Sequence, residues 1–128
     1  MTTGIQIERI INFPVNSNCF IIINGKAKDC ILVDPACGKG EVLHEYISSN
    51  KLKCSFIILT HEHFDHISSV DYIRELYHCR VIATASCSES IGNSKKNLSL
   101  FYDQAGFICK PADIIIDKTG FISPWNEV

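Results

Sequence analysis

Nowhere do these 128 residues approach the about 20 consecutive apolar positions that a membrane-spanning helix needs, so no membrane is expected as a partner. The first residues, Met1 to Arg9, have no basic start, no long apolar stretch and no small-residue cleavage site, so a signal peptide is not expected. C-x-x-C spacing is missing as well. The seven cysteines (19, 30, 37, 54, 79, 87 and 109) are odd in number and scattered, so they read as small, reduced core and loop residues, and the expected compartment is cytoplasmic. An excess of positive charge is absent too. The formal net charge of −2 gives no basic surface to hold a phosphate backbone, so nucleic acid is not expected as a partner. Repeats and low-complexity linkers are lacking, and 46% hydrophobic with 20% charged residues lies far from the disordered corner of composition. Residues 1–128 are therefore expected to fold as one domain.

Short β-branched runs come first. Ile5, Ile7, Ile10 and Ile11, then Cys19 to Ile23, then Cys30 to Val33 are separated by Pro14, Asn16-Ser17-Asn18 and Asn24-Gly25. They predict three strands, the last two joined by a turn at Asn24-Gly25. Asp34-Pro35 ends the third strand, and Gly38 and Gly40 flank the start of a helix with Val42, Leu43, Tyr46 and Ile47 on one face and Asn50 as its stop. Phe56 to Leu59 is continuously apolar, as a strand covered on both faces requires, and it ends at Thr60. From Ile67 the spacing of Val70, Ile73, Leu76 and Tyr77 predicts an amphipathic helix to about His78, with Ser68 and Asp71 as a capping pair. Arg80 to Ala83 reads as the next strand, Ser88 to Ile91 as a short helix and Ile114 to Ile116 as a last strand. Strands alternating with helices imply an α/β layered fold.

The chemistry concentrates in His61-Glu62-His63-Phe64-Asp65-His66, which holds three of the five histidines. A strand ending at Thr60 delivers His61 and His63 with period-two spacing, so both imidazoles point to one side and suit one metal ion. Asp65 and His66 follow at the turn into the helix and offer a carboxylate and an imidazole to a second ion. In open α/β sheets ligands bind beyond the carboxyl ends of the strands, where this cluster falls. Imidazole and carboxylate donors favour zinc first, with iron or manganese as alternatives. Glu62 is expected to face away, and His44 and His78 to be packing or surface residues.

Thr60-His61-Glu62-His63-Phe64-Asp65-His66 resembles the T-H-x-H-x-D-H signature of the metallo-β-lactamase superfamily, and Phe64 resembles its glyoxalase II-like (hydroxyacylglutathione hydrolase-like) branch. Asn18-Cys19-Phe20-Ile21-Ile22 is similar to the family's second strand, and Asp34-Pro35 to the aspartate motif that supports the metal ligands from behind. Asn97-Leu98-Ser99 and Pro111-Ala112-Asp113 resemble its later insert and strand entry. The resemblance implies an α/β chain forming the N-terminal half of a four-layer αββα sandwich, cut before the C-terminal half. It implies His61, His63, Asp65 and His66 as metal ligands, Asp65 as the catalytic residue among them, and one or two zinc ions.

The family's next elements are a histidine in a Thr-Pro-Gly-His type turn, a bridging aspartate and a final histidine. Trp125 to Val128 resembles the strand leading into that turn, so each ion keeps two ligands here. Relatives often carry glycines where this chain has Ser68-Ser69. The resemblance implies a hydrolase whose metals activate water against a thioester, ester, lactone or lactam carbonyl, a thioesterase of the glyoxalase II type first. The rival expectation is an inactive remnant that only binds metal weakly or dimerises. One sheet with its helices leaves its other face open at Phe20 to Ile23, Ile31 to Val33 and Phe56 to Leu59, so a homodimer is expected to cover it.

Overall fold

The computed structural model describes residues 4–117. The strand expected at Trp125 to Val128 lies outside them. Strand β1 (Ile5–Ile11), β2 (Asn18–Asn24) and β3 (Asp29–Val33) form an antiparallel meander. The turn from β2 to β3 is closed by Asn24, whose side-chain oxygen accepts from the backbone N–H groups of Lys26 and Ala27. Helix α1 (Glu41–Ser49) then crosses over to β4 (Lys53–Ile58), and α2 (Val70–Tyr77) crosses to β5 (Arg80–Ala83). Strands β3, β4, β5 and β6 (Ile114–Ile115) run parallel, and the strands lie side by side in sequence order, β1 to β6. Between β4 and α2 lies a single 3₁₀ turn, Phe64–His66. Two further short helices, α3 (Ala85–Ser90) and α4 (Ser99–Tyr102), sit between β5 and β6.

Alternation along the strands sorts the residues onto two faces. Cys19, Ile21, Ile23, Cys30, Leu32, Ile57 and Val81 point into one core with Leu43 and Ile47 of α1 and Val70 and Ile73 of α2. Two successive crossovers in the same direction put both helices on that face. The residues paired across the opposite face are Ile7 with Ile22, Arg9 with Phe20, Phe20 with Val33 and Val33 with Ile58. This second face is open at β1 and β2: Ile7 is 64% and Phe20 38% exposed, whereas Ile31 is 3% exposed. Exposure is thus greatest on β1, whose Ile5, Ile7 and Ile11 the sequence had not placed in the patch.

Three local expectations are corrected. Val42 is half exposed instead of packed, because α1 buries only Leu43 and Ile47. Strand β4 starts at Lys53, ahead of its apolar run, and ends at Ile58 rather than Thr60. The start of α2 has no Ser68 and Asp71 capping pair: the Ser68 and Ser69 hydroxyls donate to the Gly38 carbonyl at 2.7 and 3.3 Å, and Asp71 accepts from the Lys110 N–H. Those serines tie the helix start to the loop after β3. Gly40 at the start of α1 is required there, since its φ is +123° and a Cβ would stand 2.4 Å from the Tyr72 ring.

Candidate metal centre

The site forms where β3 and β4 both end. Asp34 closes β3 in the left-handed region, φ 54°, a conformation that aspartate tolerates better than most residues. Its backbone N–H donates to the Ile58 carbonyl, which holds the turn against β4. The carboxylate is almost fully buried and fully engaged. One oxygen accepts from the Thr60 N–H at 2.8 Å; the other accepts from the Thr60 hydroxyl and from His66 Nδ1, 2.9 Å away.

These bonds set the protons on two imidazoles. A carboxylate only accepts, so His66 Nδ1 carries a proton, and in the neutral ring the lone pair is on Nε2. Thr60 has one hydroxyl proton and gives it to Asp34. Thr60 Oγ1 therefore accepts from His61 Nδ1, 3.0 Å away, and the lone pair of His61 is on Nε2 as well. Partial burial, and then the neighbouring His66, hold the His61 imidazole below the ordinary histidine range, which favours the neutral ring a metal needs.

The rings converge. His61 and His66 centroids are 3.9 Å apart, and His61 and His63 centroids 4.8 Å apart, edge to face. Asp65 places a carboxylate oxygen 3.6 Å from His66 Nε2. One donor atom each from Asp34, His61 and His66 lie within 4.8 Å of one another, the only such group of three among the described residues. His63 and Asp65 border this group without joining it, and the His63 side chain is 46% exposed. Because Asp34 already accepts three hydrogen bonds, it is better suited to orienting His66 than to binding an ion itself. Nitrogen and carboxylate donors with both Nε2 lone pairs free fit a zinc-type ion.

Glu62 departs from expectation. Residues 59–63 have left the strand, so alternation no longer applies, and its carboxylate comes within 4.0 Å of His63 Nε2. His44 bonds the Tyr77 hydroxyl at 2.7 Å, and His78 closes α2 in the left-handed region. All seven cysteines are free and buried. Burial pushes the Cys37 thiol up to about 11 and, with Asp71 nearby, that of Cys109 to about 12.

Two supporting residues escaped the sequence reading. Asn12, fully buried, donates to the Asp34 carbonyl at 3.0 Å and the Asp65 carbonyl at 3.5 Å, and accepts from the Ala36 N–H at 2.9 Å. Ser17 donates to the same Asp65 carbonyl. The one available signal was a polar residue set into the apolar stretch Ile10-Ile11-Asn12-Phe13.

Fold and motif agree with known proteins. Residues 12–125 match the family model of the metallo-beta-lactamase superfamily, and the chain belongs to that superfamily. It is similar to a probable metallo-hydrolase, YqgX, of Bacillus subtilis, 30% identical over 107 residues, which are 84% of this chain and 49% of the relative. A hydroxyacylglutathione hydrolase of Vibrio campbellii is 37% identical over 68 residues, 52% of this chain and 26% of the relative. Among solved structures, the B3 metallo-beta-lactamase BLEG-1 superposes with a TM-score of 0.81 at 26% identity, over 89% of this chain and 54% of that one. The matches thus span between about a quarter and about half of the length of these relatives, and the fold is half of the metallo-β-lactamase architecture.

Proposed function

We propose that residues 1–128 form the metal-binding half-domain of a zinc-dependent hydrolase of the glyoxalase II type, acting on a thioester or a related ester or lactam carbonyl. The observation that carries this reading is the pair of imidazoles, His61 and His66, each with Nδ1 tied inward to Thr60 or Asp34, and with His66 Nε2 3.6 Å from an Asp65 carboxylate oxygen. In this reading His61 and His63 serve one ion, Asp65 and His66 a second, and Asp34 orients His66. Zinc is the first choice for this donor set, with iron or manganese next. Bound there, such an ion supplies a nucleophile from water at neutral pH and polarises the carbonyl. Asp65 is the catalytic carboxylate of the set, positioned by the bonds of Asn12 and Ser17 to its backbone. The Vibrio relative and Phe64 support a thioester over a lactam. Buried free thiols support a cytoplasmic setting, and no described helix is long and apolar enough to cross a membrane.

Two ligands per ion bind more weakly than a complete site, and this chain by itself is expected to turn over acyl-glutathione far below ~1 per second. Calorimetric titration of the metal-free protein with zinc tests the site. Heats that persist unchanged after His61→Ala combined with His63→Ala would sink it. A second reading, a dimerising and weakly metal-binding module without catalysis, is favoured by one observation, the open apolar face at Ile5, Ile7 and Phe20.

A further inference from the structure

Beside the metal centre lies a cavity of about 210 Å³ that reaches Asp65. Its walls are aromatic and aliphatic: Phe13 and Val15 come from the β1–β2 loop, Phe64 from the 3₁₀ turn, Tyr102 from α4, and Phe107 from the segment after it. Phe64 and Tyr102 stack with ring centroids 4.6 Å apart and planes 27° from parallel. The walls are fastened through the backbone. The Phe64 N–H donates to the Asn97 carbonyl at 2.8 Å, and the Ser99 hydroxyl accepts from the Phe107 N–H at 2.8 Å while donating to its carbonyl at 3.1 Å. Held this way, the aromatic wall needs little reordering to receive a ligand. Phe13 and Tyr102 nevertheless stay 44% and 55% exposed, so apolar surface is left facing the opening.

Size and charge define an occupant. An apolar cavity of about 150 Å³ takes up a benzene ring, so this one is large enough for an aryl ring or a short acyl chain. The two carboxylates that also line it, Asp65 and Asp103, oppose an anionic group. We infer that the cavity bounded by Phe64, Tyr102 and Val15 seats an uncharged aryl or short alkyl acyl arm of the substrate, with the carbonyl end directed to Asp65. This deepens the hydrolase reading and rests on it for the identity of the ligand as substrate. In specificity terms Tyr102 and Phe64 select the acyl side by shape and stacking.

The probe is 2-phenylethanol, titrated into the metal-free 128-residue chain and followed by saturation-transfer and chemical-shift NMR. Saturable binding is expected, with phenylacetate weaker because it brings a charge to Asp65 and Asp103. Tyr102→Ala should weaken 2-phenylethanol about fivefold to tenfold by removing one side of the stack. Val15→Trp, which adds bulk to the cavity lining, should abolish it. Phe101→Ala removes a ring that is 76% exposed and lies outside the cavity, and should change nothing. Binding unaffected by both Tyr102→Ala and Val15→Trp overturns the proposal. A zinc titration of the wild type separates the two readings: protein that binds zinc but not 2-phenylethanol overturns the pocket alone, and protein that binds 2-phenylethanol but not zinc overturns the hydrolase.

Discussion

Asp34→Asn isolates the contribution of a buried charge to ligand orientation while leaving size and backbone preference alone. Alanine would add a cost of about 1 kcal/mol by placing an ordinary residue at φ 54°, a conformation that asparagine tolerates. The amide oxygen can still accept from the Thr60 N–H, but the amide N–H₂ now stands where the other carboxylate oxygen accepted from Thr60 and His66. Two donors then face each other at His66 Nδ1. The imidazole relieves this by moving its proton to Nε2, which satisfies the buried bond and removes the lone pair that a metal requires. Stability should fall by only about 1–2 kcal/mol, the difference between charge-assisted and neutral hydrogen bonds at a buried site. Zinc affinity should fall about 10- to 100-fold, the usual cost of losing a residue that orients a ligand. Urea unfolding of metal-free protein reads the first quantity, and competition titration with a chromophoric chelator reads the second. Zinc affinity within twofold of wild type, at reduced stability, would refute the argument and make Asp34 a structural residue only.

Other outcomes follow from the same geometry. Asn12→Ala leaves the Ala36 N–H and the Asp34 carbonyl without their partner in a fully buried place, so urea unfolding should register a loss of about 2–4 kcal/mol. Folding raises the Cys37 and Cys87 thiols from an ordinary value of 9.0 to about 11 through burial, so their stabilising contribution is complete below pH 9 and is lost as pH rises towards 11. Melting temperature should therefore drop across that window, and Cys37→Ser with Cys87→Ser should flatten the drop; an equally steep profile in the double variant would contradict the assignment. The open face of β1 and β2 predicts a homodimer by light scattering at micromolar concentration, and Ile7→Lys with Phe20→Lys should yield monomer. A monodisperse wild-type monomer would show that the face is tolerated uncovered.

What could be read in the sequence was what is encoded locally. Strand β5 has the bounds read for it, Arg80 to Ala83, because a short β-branched run between a helix end and a turn leaves little choice. The start of β4 was misplaced because Lys53, Cys54 and Ser55 carry no apolar pattern, and they enter the sheet through pairing with Asp29 and Cys30. Helix α4 is four residues long, too short for periodicity to register. Ser68 was misread as a cap because its acceptor, Gly38, is 30 residues away in sequence. His61, His63, Asp65 and His66 could be singled out since they fall within six consecutive positions, whereas the structure groups His61 and His66 with Asp34 and leaves His63 and Asp65 at the border. Asn12 was not, because its bonds reach across 22 and 53 residues to the backbones of Asp34 and Asp65.

Sequential strand order also bears on how the chain is made. Since β1 to β6 lie in the sheet in the order in which they leave the ribosome, every strand after the first meets a partner that has already emerged. Loop closure is short for the first three strands and never longer than one crossover through β5, which keeps the entropic cost of each addition small. Synthesis from the N-terminus can therefore assemble the scaffold one strand at a time. The segment His61 to His66, which follows β4, can then dock against the turn at Asp34 as the chain emerges.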